Sequence, residues 1–348
     1  MDRGSDRDPA GRTRRVVLAR PRRRRPGGLP RTRRAGARRS AREDVFLSPR
    51  RAAVAGLSRG RAGSDRPRQL RDRVQPLSAP PRFERLLITG AAGALGRVLR
   101  EGLAPLARTL RLSDRADLGE AGAHEELARA ELADFPAVLR AVEGCDAVVH
   151  FGAAPVERPW AEILGSSIQG GYNVYEAARR CGVRRIVYAS SIHAVGFVPR
   201  EAGATVHTEH RPDSLYGLSK CFVEDLAKLY WDKFGVESAL LRINSCFPEP
   251  TDRRHLATWL SYRDLVQLVE RSLCAERIGV TTIYGISDNR ERFFSNEGAA
   301  HLGFRPQDSA EAHRARVEAG AAAGDPADPA VAFAGGVFCA MGHPDDDA

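Results

Sequence analysis

The string Gly90-Ala-Ala-Gly93-Ala-Leu-Gly96 follows directly on an apolar run and opens a stretch of helical periodicity. Glycines let the backbone turn tightly and come close to a phosphate, whose charge is then met by the unpaired N–H groups of a helix N-terminus. Such a turn belongs in a parallel sheet whose strands are joined by helices, and the downstream pattern agrees. From Phe83 onward, apolar runs of strand length alternate with longer amphipathic stretches. The spacing predicts strands at 85–89, 109–113, 147–151, 185–190, 237–243 and 280–284. It predicts helices at 94–106, 135–142, 160–180, 214–234 and 262–274, with a short one at 296–302. The fold class expected is α/β, a doubly wound parallel sheet of about seven strands, followed by a small substrate-binding region within 244–310.

Charge divides the chain sharply. Residues 1–80 contain 24 Arg, no Lys and 7 acidic side chains, so this stretch carries a net charge of about +17, whereas the whole chain carries +10. The body from residue 81 is therefore mildly acidic. The leader, 1–82, has no apolar periodicity able to bury a face and reads as disordered. Its arginines could neutralise phosphates or serve a transit peptide. Arg without Lys fits a third reading better, the codon bias of an Arg-rich genome. The folded α/β body is expected at 83–320, and the Ala-, Gly-, Pro- and Asp-rich segment 321–348 is expected to be a flexible tail.

No run approaches the 18 or so apolar residues of a membrane span. Six scattered cysteines with no CxxC pair suggest reduced thiols in the cytoplasm, and no metal site.

Asp114 stands at the end of the second predicted strand, where a carboxylate accepts the hydroxyls of an adenosine ribose and repels a 2′-phosphate. That favours NAD over NADP. Further on, Tyr216-Gly-Leu-Ser-Lys220 puts a phenol and an ammonium one turn apart on a helix face. A cation there is expected to pull the phenol's pKa down toward neutrality, making Tyr216 a proton acceptor for an alcohol. Ser190 and Ser191 end a strand at the carboxyl edge of the sheet, where ligands bind.

Together these residues resemble the extended short-chain dehydrogenases, the NAD-dependent epimerase/dehydratase superfamily with a Rossmann-like sheet, over residues 83 to about 315. The resemblance implies that Tyr216 is the acid/base, that Ser191 holds the substrate hydroxyl and that Lys220 also binds the nicotinamide ribose. It implies a cofactor site of Gly90, Gly93, Ala94, Leu95, Gly96, Asp114, Glu131, Leu132, Gly152, Ala153, Ala154, Tyr216 and Lys220.

Only about 75 residues separate Arg242 from the tail, which suits a small substrate. Val156-Glu-Arg-Pro-Trp160, Arg211-Pro-Asp-Ser-Leu-Tyr216, Ser245-Cys-Phe-Pro-Glu-Pro250, Thr258-Trp-Leu-Ser261, Tyr284-Gly-Ile-Ser-Asp288 and Gly335-Gly-Val-Phe-Cys-Ala340 are similar to strings of bacterial uronate dehydrogenases. That family oxidises the anomeric hydroxyl of cyclic glucuronate or galacturonate to an aldarolactone. By the same resemblance Arg254 grips the sugar carboxylate, a task suited to a planar fork of donors, and His193 and Ser245 touch the sugar. The chain departs from the family pattern at Pro155, Ser167, Ile192 and Asn244, which touches the choice of substrate more than the chemistry. Another sugar or sugar nucleotide is the alternative substrate. A non-catalytic NAD- or nucleic-acid-binding protein is the alternative of another class, and intact Ser191, Tyr216 and Lys220 argue against it. The expected partners are thus a sugar acid and further copies of the chain, with neither a membrane nor a nucleic acid required.

Overall fold

The computed structural model describes residues 81–320 and 324–346, so the expectation for the Arg-rich leader lies outside the described residues. Seven parallel strands form the main sheet: β1 (Phe83–Thr89), β2 (Ala107–Ser113), β3 (Glu125–Leu127), β4 (Ala147–His150), β5 (Arg185–Ser191), β6 (Glu237–Ile243) and β7 (Val280–Gly285). Their order across the sheet is β7-β6-β5-β4-β1-β2-β3. The order reverses between β1 and β4, and that switch point opens a crevice at the carboxyl edge.

Successive side chains on a strand point to opposite faces, and here both faces are buried. Leu86, Ile88, Val149 and Leu241 pack with Leu99 and Leu103 beside helix α1 (Ala94–Gly102) and with Leu265 and Leu268 of α5 (Tyr262–Cys274). Leu87, Val148, Ile186 and Leu240 pack on the other face. There they meet Val138 of α2 (Phe135–Val142), Val174 of α3 (Gly170–Cys181) and Val223 of α4 (Leu215–Phe234). Strands covered on both faces explain why the sequence shows continuous apolar runs instead of strict alternation.

Several elements differ from the sequence-based expectation. Helix α1 stops at Gly102 and a 3-10 turn, Ala104–Leu106, carries the chain on, because Pro105 cannot supply the N–H of a continuing helix. β3 is three residues long and too polar to register as an apolar run. The single helix expected at 160–180 is α-helical at Trp160–Glu162, π-helical over Ile163–Gln169 and α-helical again in α3.

Composition suggested a loose tail, yet residues 329–340 pack back on the domain. Ala334 N donates to Val198 O at 2.9 Å and Gly335 N to Gly196 O at 2.8 Å. Phe333 forms a bridge with Pro199. Ala334 is fully buried in an apolar cluster with Ile192, Val198, Tyr284 and Phe294.

Candidate active site

The turn after β1 has the conformation its glycines allow. Gly90 has φ +72°, and a Cβ there would lie 2.6 Å from Gly152 N and from Phe151 C, so no other residue fits between β1 and the loop after β4. Gly93 and Ala94 begin α1 exposed, leaving their backbone open to a pyrophosphate.

Asp114 follows β2 and accepts hydrogen bonds from Ala92 N at 3.1 Å and Ala116 N at 2.9 Å. Each carboxylate oxygen keeps a lone pair for a ribose hydroxyl. Leu132 packs on Gly152 and Gly170, and its carbonyl accepts from the buried amide of Asn173 at 2.8 Å. Glu131 is half exposed and 3.9 Å from Arg115. Ala154 N donates to Ser167 Oγ at 3.2 Å, so the π-helical turn braces the loop that holds Gly152, Ala153 and Ala154. Open backbone, an acid beyond β2 and an apolar wall form a cradle that fits a dinucleotide.

At the ends of β5 and β6 the polar groups converge. Tyr216 is in the first turn of α4 and hydrogen-bonds Ser191, the last residue of β5. Lys220, one turn further, is buried and donates from Nζ to Ala189 O at 2.8 Å. Its ammonium lies 5.1 Å from the ring centres of both Tyr216 and Tyr188.

Burial pushes Lys220 down to about 7, against a partial upward pull from Glu224. Burial also pushes Tyr216 up to about 12, opposed by the Ser191 hydrogen bond and reinforced by Asp213. The lowered phenol pKa expected from the sequence is therefore absent here. Desolvation of the phenolate outweighs the Ser191 hydrogen bond that favours it.

The residues expected on the sugar side fall around the same opening. His193 Nδ1 is 2.7 Å from Asp213 Oδ2, and its ring lies against Phe338, 3.9 Å between centres, and edge-on to Tyr216 at 5.6 Å. Ser245 Oγ is 2.9 Å from Thr258 Oγ1 and accepts from Arg254 Nη1 at 3.1 Å. Arg254 Nη2 donates to Ala334 O at 2.8 Å, while its buried Nε has no partner. No carboxylate pairs with this guanidinium among the described residues. Burial lowers its pKa, partly offset by Asp252 and Asp213. Asn244 Oδ1 is the other buried polar atom without a partner among the described residues. Of the remaining departures, Ile192 is packed in the apolar cluster under the C-terminal segment and Pro155 is exposed.

Three residues that matter here were not singled out from the sequence. Glu157 accepts from both Leu215 N (3.0 Å) and Tyr216 N (2.7 Å), clamping the start of α4. Asp213 holds His193, and Phe338 covers it. All three lie inside strings already quoted, but nothing local distinguishes an acid that reaches across the fold from a solvated one. Behind the site, Glu224 accepts from Arg242 Nη2 and His210 Nε2, both at 2.8 Å, and from Ser190 Oγ at 2.5 Å.

A strand–glycine–helix cradle beside a Ser–Tyr–Lys cluster at the carboxyl edge of a parallel sheet defines a dinucleotide-dependent short-chain dehydrogenase. A model of the NAD dependent epimerase/dehydratase family matches residues 86–263, and the chain belongs to that family, on its extended branch. The uronate dehydrogenase of Pseudomonas putida is 51% identical over 262 residues, which are 75% of this chain and 97% of the relative. A crystal structure of glucuronic acid dehydrogenase from Chromohalobacter salexigens is 51% identical, with 76% of this chain and 99% of that one covered at TM-score 0.75. A tyrosine-to-alanine mutant of uronate dehydrogenase from Agrobacterium tumefaciens, complexed with NAD, is 47% identical, covering 74% and 98%, at TM-score 0.73.

Proposed function

We propose that the chain is an NAD-dependent dehydrogenase that oxidises cyclic glucuronate or galacturonate at C1 to the aldarolactone. The observation that carries the reading is Arg254, a half-buried cation whose buried Nε is orphaned and which has no carboxylate partner among the described residues. A partly desolvated guanidinium in such a state calls for an anion, and a sugar carboxylate supplies one with two oxygens to match the fork. The likeness to the relatives above supports the same substrate class.

Glycines 90, 93 and 96 with Ala94 and Leu95 hold the pyrophosphate of NAD, Asp114 the adenosine ribose, Glu131, Leu132 and Gly152 to Ala154 the adjoining walls. NAD, when bound, accepts a hydride. Ser191 and Tyr216 hold the C1 hydroxyl, and Tyr216 takes its proton in the holoenzyme, where the positive charge that NAD would bring favours the phenolate that burial disfavours in the cofactor-free protein. The Lys220 ammonium donates one hydrogen bond to Ala189 O and keeps two donors for the nicotinamide ribose. Arg254, with Ser245, orients the carboxylate and so aims C1 at the cofactor.

No helix among the described residues is long and apolar enough to cross a membrane, and the free thiols of the chain fit a cytoplasmic enzyme. Self-association belongs to the same reading: Leu218, Phe222 and Leu229 stand exposed along α4, a surface suited to a second copy.

NADH absorbance, followed with glucuronate, galacturonate, glucose and galactose, tests the assignment. Turnover is expected on the uronates and lost in Tyr216→Phe with NAD still bound. Equal rates on uronates and neutral hexoses would overturn it.

A further inference from the structure

Asp213 lies two residues before α4, with its side chain fully shielded from solvent. One oxygen, Oδ2, faces His193 Nδ1 at 2.7 Å, and the other, Oδ1, accepts from Ser214 Oγ at 2.7 Å. Cys339 Sγ is 3.9 Å from Oδ2. The backbone closes around this carboxylate: a Cβ built on Gly196 or Gly335 would lie 1.9 or 1.8 Å from Oδ2. Those two glycines are themselves joined by the hydrogen bond from Gly335 N to Gly196 O. Side-chain rotation cannot carry Asp213 out of such a socket.

A carboxylate offers acceptors only, so the imidazole nitrogen facing it must bring the hydrogen. His193 is then Nδ1–H, and in the neutral ring the opposite nitrogen is a bare acceptor. Among the described residues no group hydrogen-bonds Nε2. The ring that carries it is held between Phe338 and Tyr216, beside the phenol assigned to the reacting hydroxyl.

We propose that Asp213 is a positioning residue: it fixes His193 as the Nδ1–H tautomer and thereby makes Nε2 an acceptor that reads a second hydroxyl of the sugar. This rests on the sugar-oxidising function proposed above and deepens it. Selectivity follows from the hydrogen-bond polarity. A hydroxyl donates to Nε2, whereas a deoxy or O-methyl sugar leaves the nitrogen unpaired, a loss that hydroxyl-reading sites penalise strongly. Asp213→Asn keeps the shape and replaces one acceptor by a donating NH₂, which inverts the tautomer and points Nε2–H at the sugar.

The test uses the full chain labelled with ¹⁵N-histidine, free and with NAD. The ring signals of His193 are assigned by their loss in His193→Gln. The wild type is expected to show a protonated Nδ1 and an unprotonated Nε2, reversed in Asp213→Asn. With NAD and a uronate, Asp213→Asn should lose roughly 10- to 100-fold in kcat/KM, mainly through KM. In the His193→Gln background the same substitution should change kcat/KM by less than about twofold, because Asp213 acts through the ring. A wild-type Nε2–H tautomer, or an equal Asp213→Asn loss in both backgrounds, would overturn the proposal. The wild-type spectrum decides even if Asp213→Asn does not fold, and it needs no turnover, so a wrong substrate class is seen separately.

Discussion

Replacing Lys220 by methionine is expected to stabilise the cofactor-free protein while abolishing its turnover. The ammonium is buried, and its pKa falls from an ordinary 10.5 to about 7. Below pH 7 both folded and unfolded chains hold the proton, so the whole burial penalty applies. Between pH 7 and 10.5 the unfolded chain binds the proton and the folded chain releases it, so stability rises with pH through that window. Relative to an uncharged side chain, the penalty is about 4 kcal/mol at pH 7 and about 2 kcal/mol at pH 9. Methionine has similar length and no charge, so it removes that penalty. It also deprives Ala189 O of its donor, which costs about 1–3 kcal/mol. The net expectation is a variant more stable by about 1–3 kcal/mol at pH 7, with the advantage shrinking by about 2 kcal/mol at pH 9. Urea titrations of both proteins at the two pH values, without NAD, measure the difference directly. A Lys220→Met protein less stable than wild type at pH 7, or an advantage equal at both pH values, would refute the reasoning.

Two further outcomes follow from carboxylates that accept hydrogen bonds inside the fold. Glu157→Ala frees the N–H groups of Leu215 and Tyr216. It should lower stability by about 1–2 kcal/mol and reduce kcat roughly tenfold, with NAD affinity unchanged, as read by urea titration, NADH formation and cofactor fluorescence quenching. For Glu224, burial alone would raise the pKa, but His210, Arg242 and Ser190 outweigh it and hold the group at about 2. A depressed carboxylate contributes stability that is complete above about pH 4.5 and lost as the pH falls toward 2. That loss should amount to about 3 kcal/mol, and acid titration of Glu224→Gln should lack it.

Much of the architecture could be read from the chain because parallel strands and their helices write themselves locally. Apolar runs mark strands buried on both faces, and glycines 90, 93 and 96 mark the turn between the first strand and helix. Tyr216 and Lys220 could be paired from their spacing alone, since a helix sets residues four apart on one face. The chemistry followed from residue types: a phenol, an ammonium and a hydroxyl at a strand end.

What the sequence could not settle depends on contacts between segments far apart along the chain. Burial of Lys220 and Tyr216 reverses the pKa expected of the phenol, and burial is a property of what packs around a residue, not of its neighbours in sequence. The tail, whose composition suggested looseness, closes over His193 and Arg254 because two backbone hydrogen bonds, from Ala334 N and Gly335 N, and the burial of Ala334 hold it there. Glu157 and Asp213 look like ordinary surface acids until the fold brings them to the start of α4 and to an imidazole. Sequence alone thus determined the sheet, the glycine turn and the residue types, Ser191, Tyr216 and Lys220, that meet at its carboxyl edge. Tertiary structure decided their ionisation, their orientation and the enclosure of the proposed sugar site, because those are set by desolvation and by hydrogen bonds across long loops.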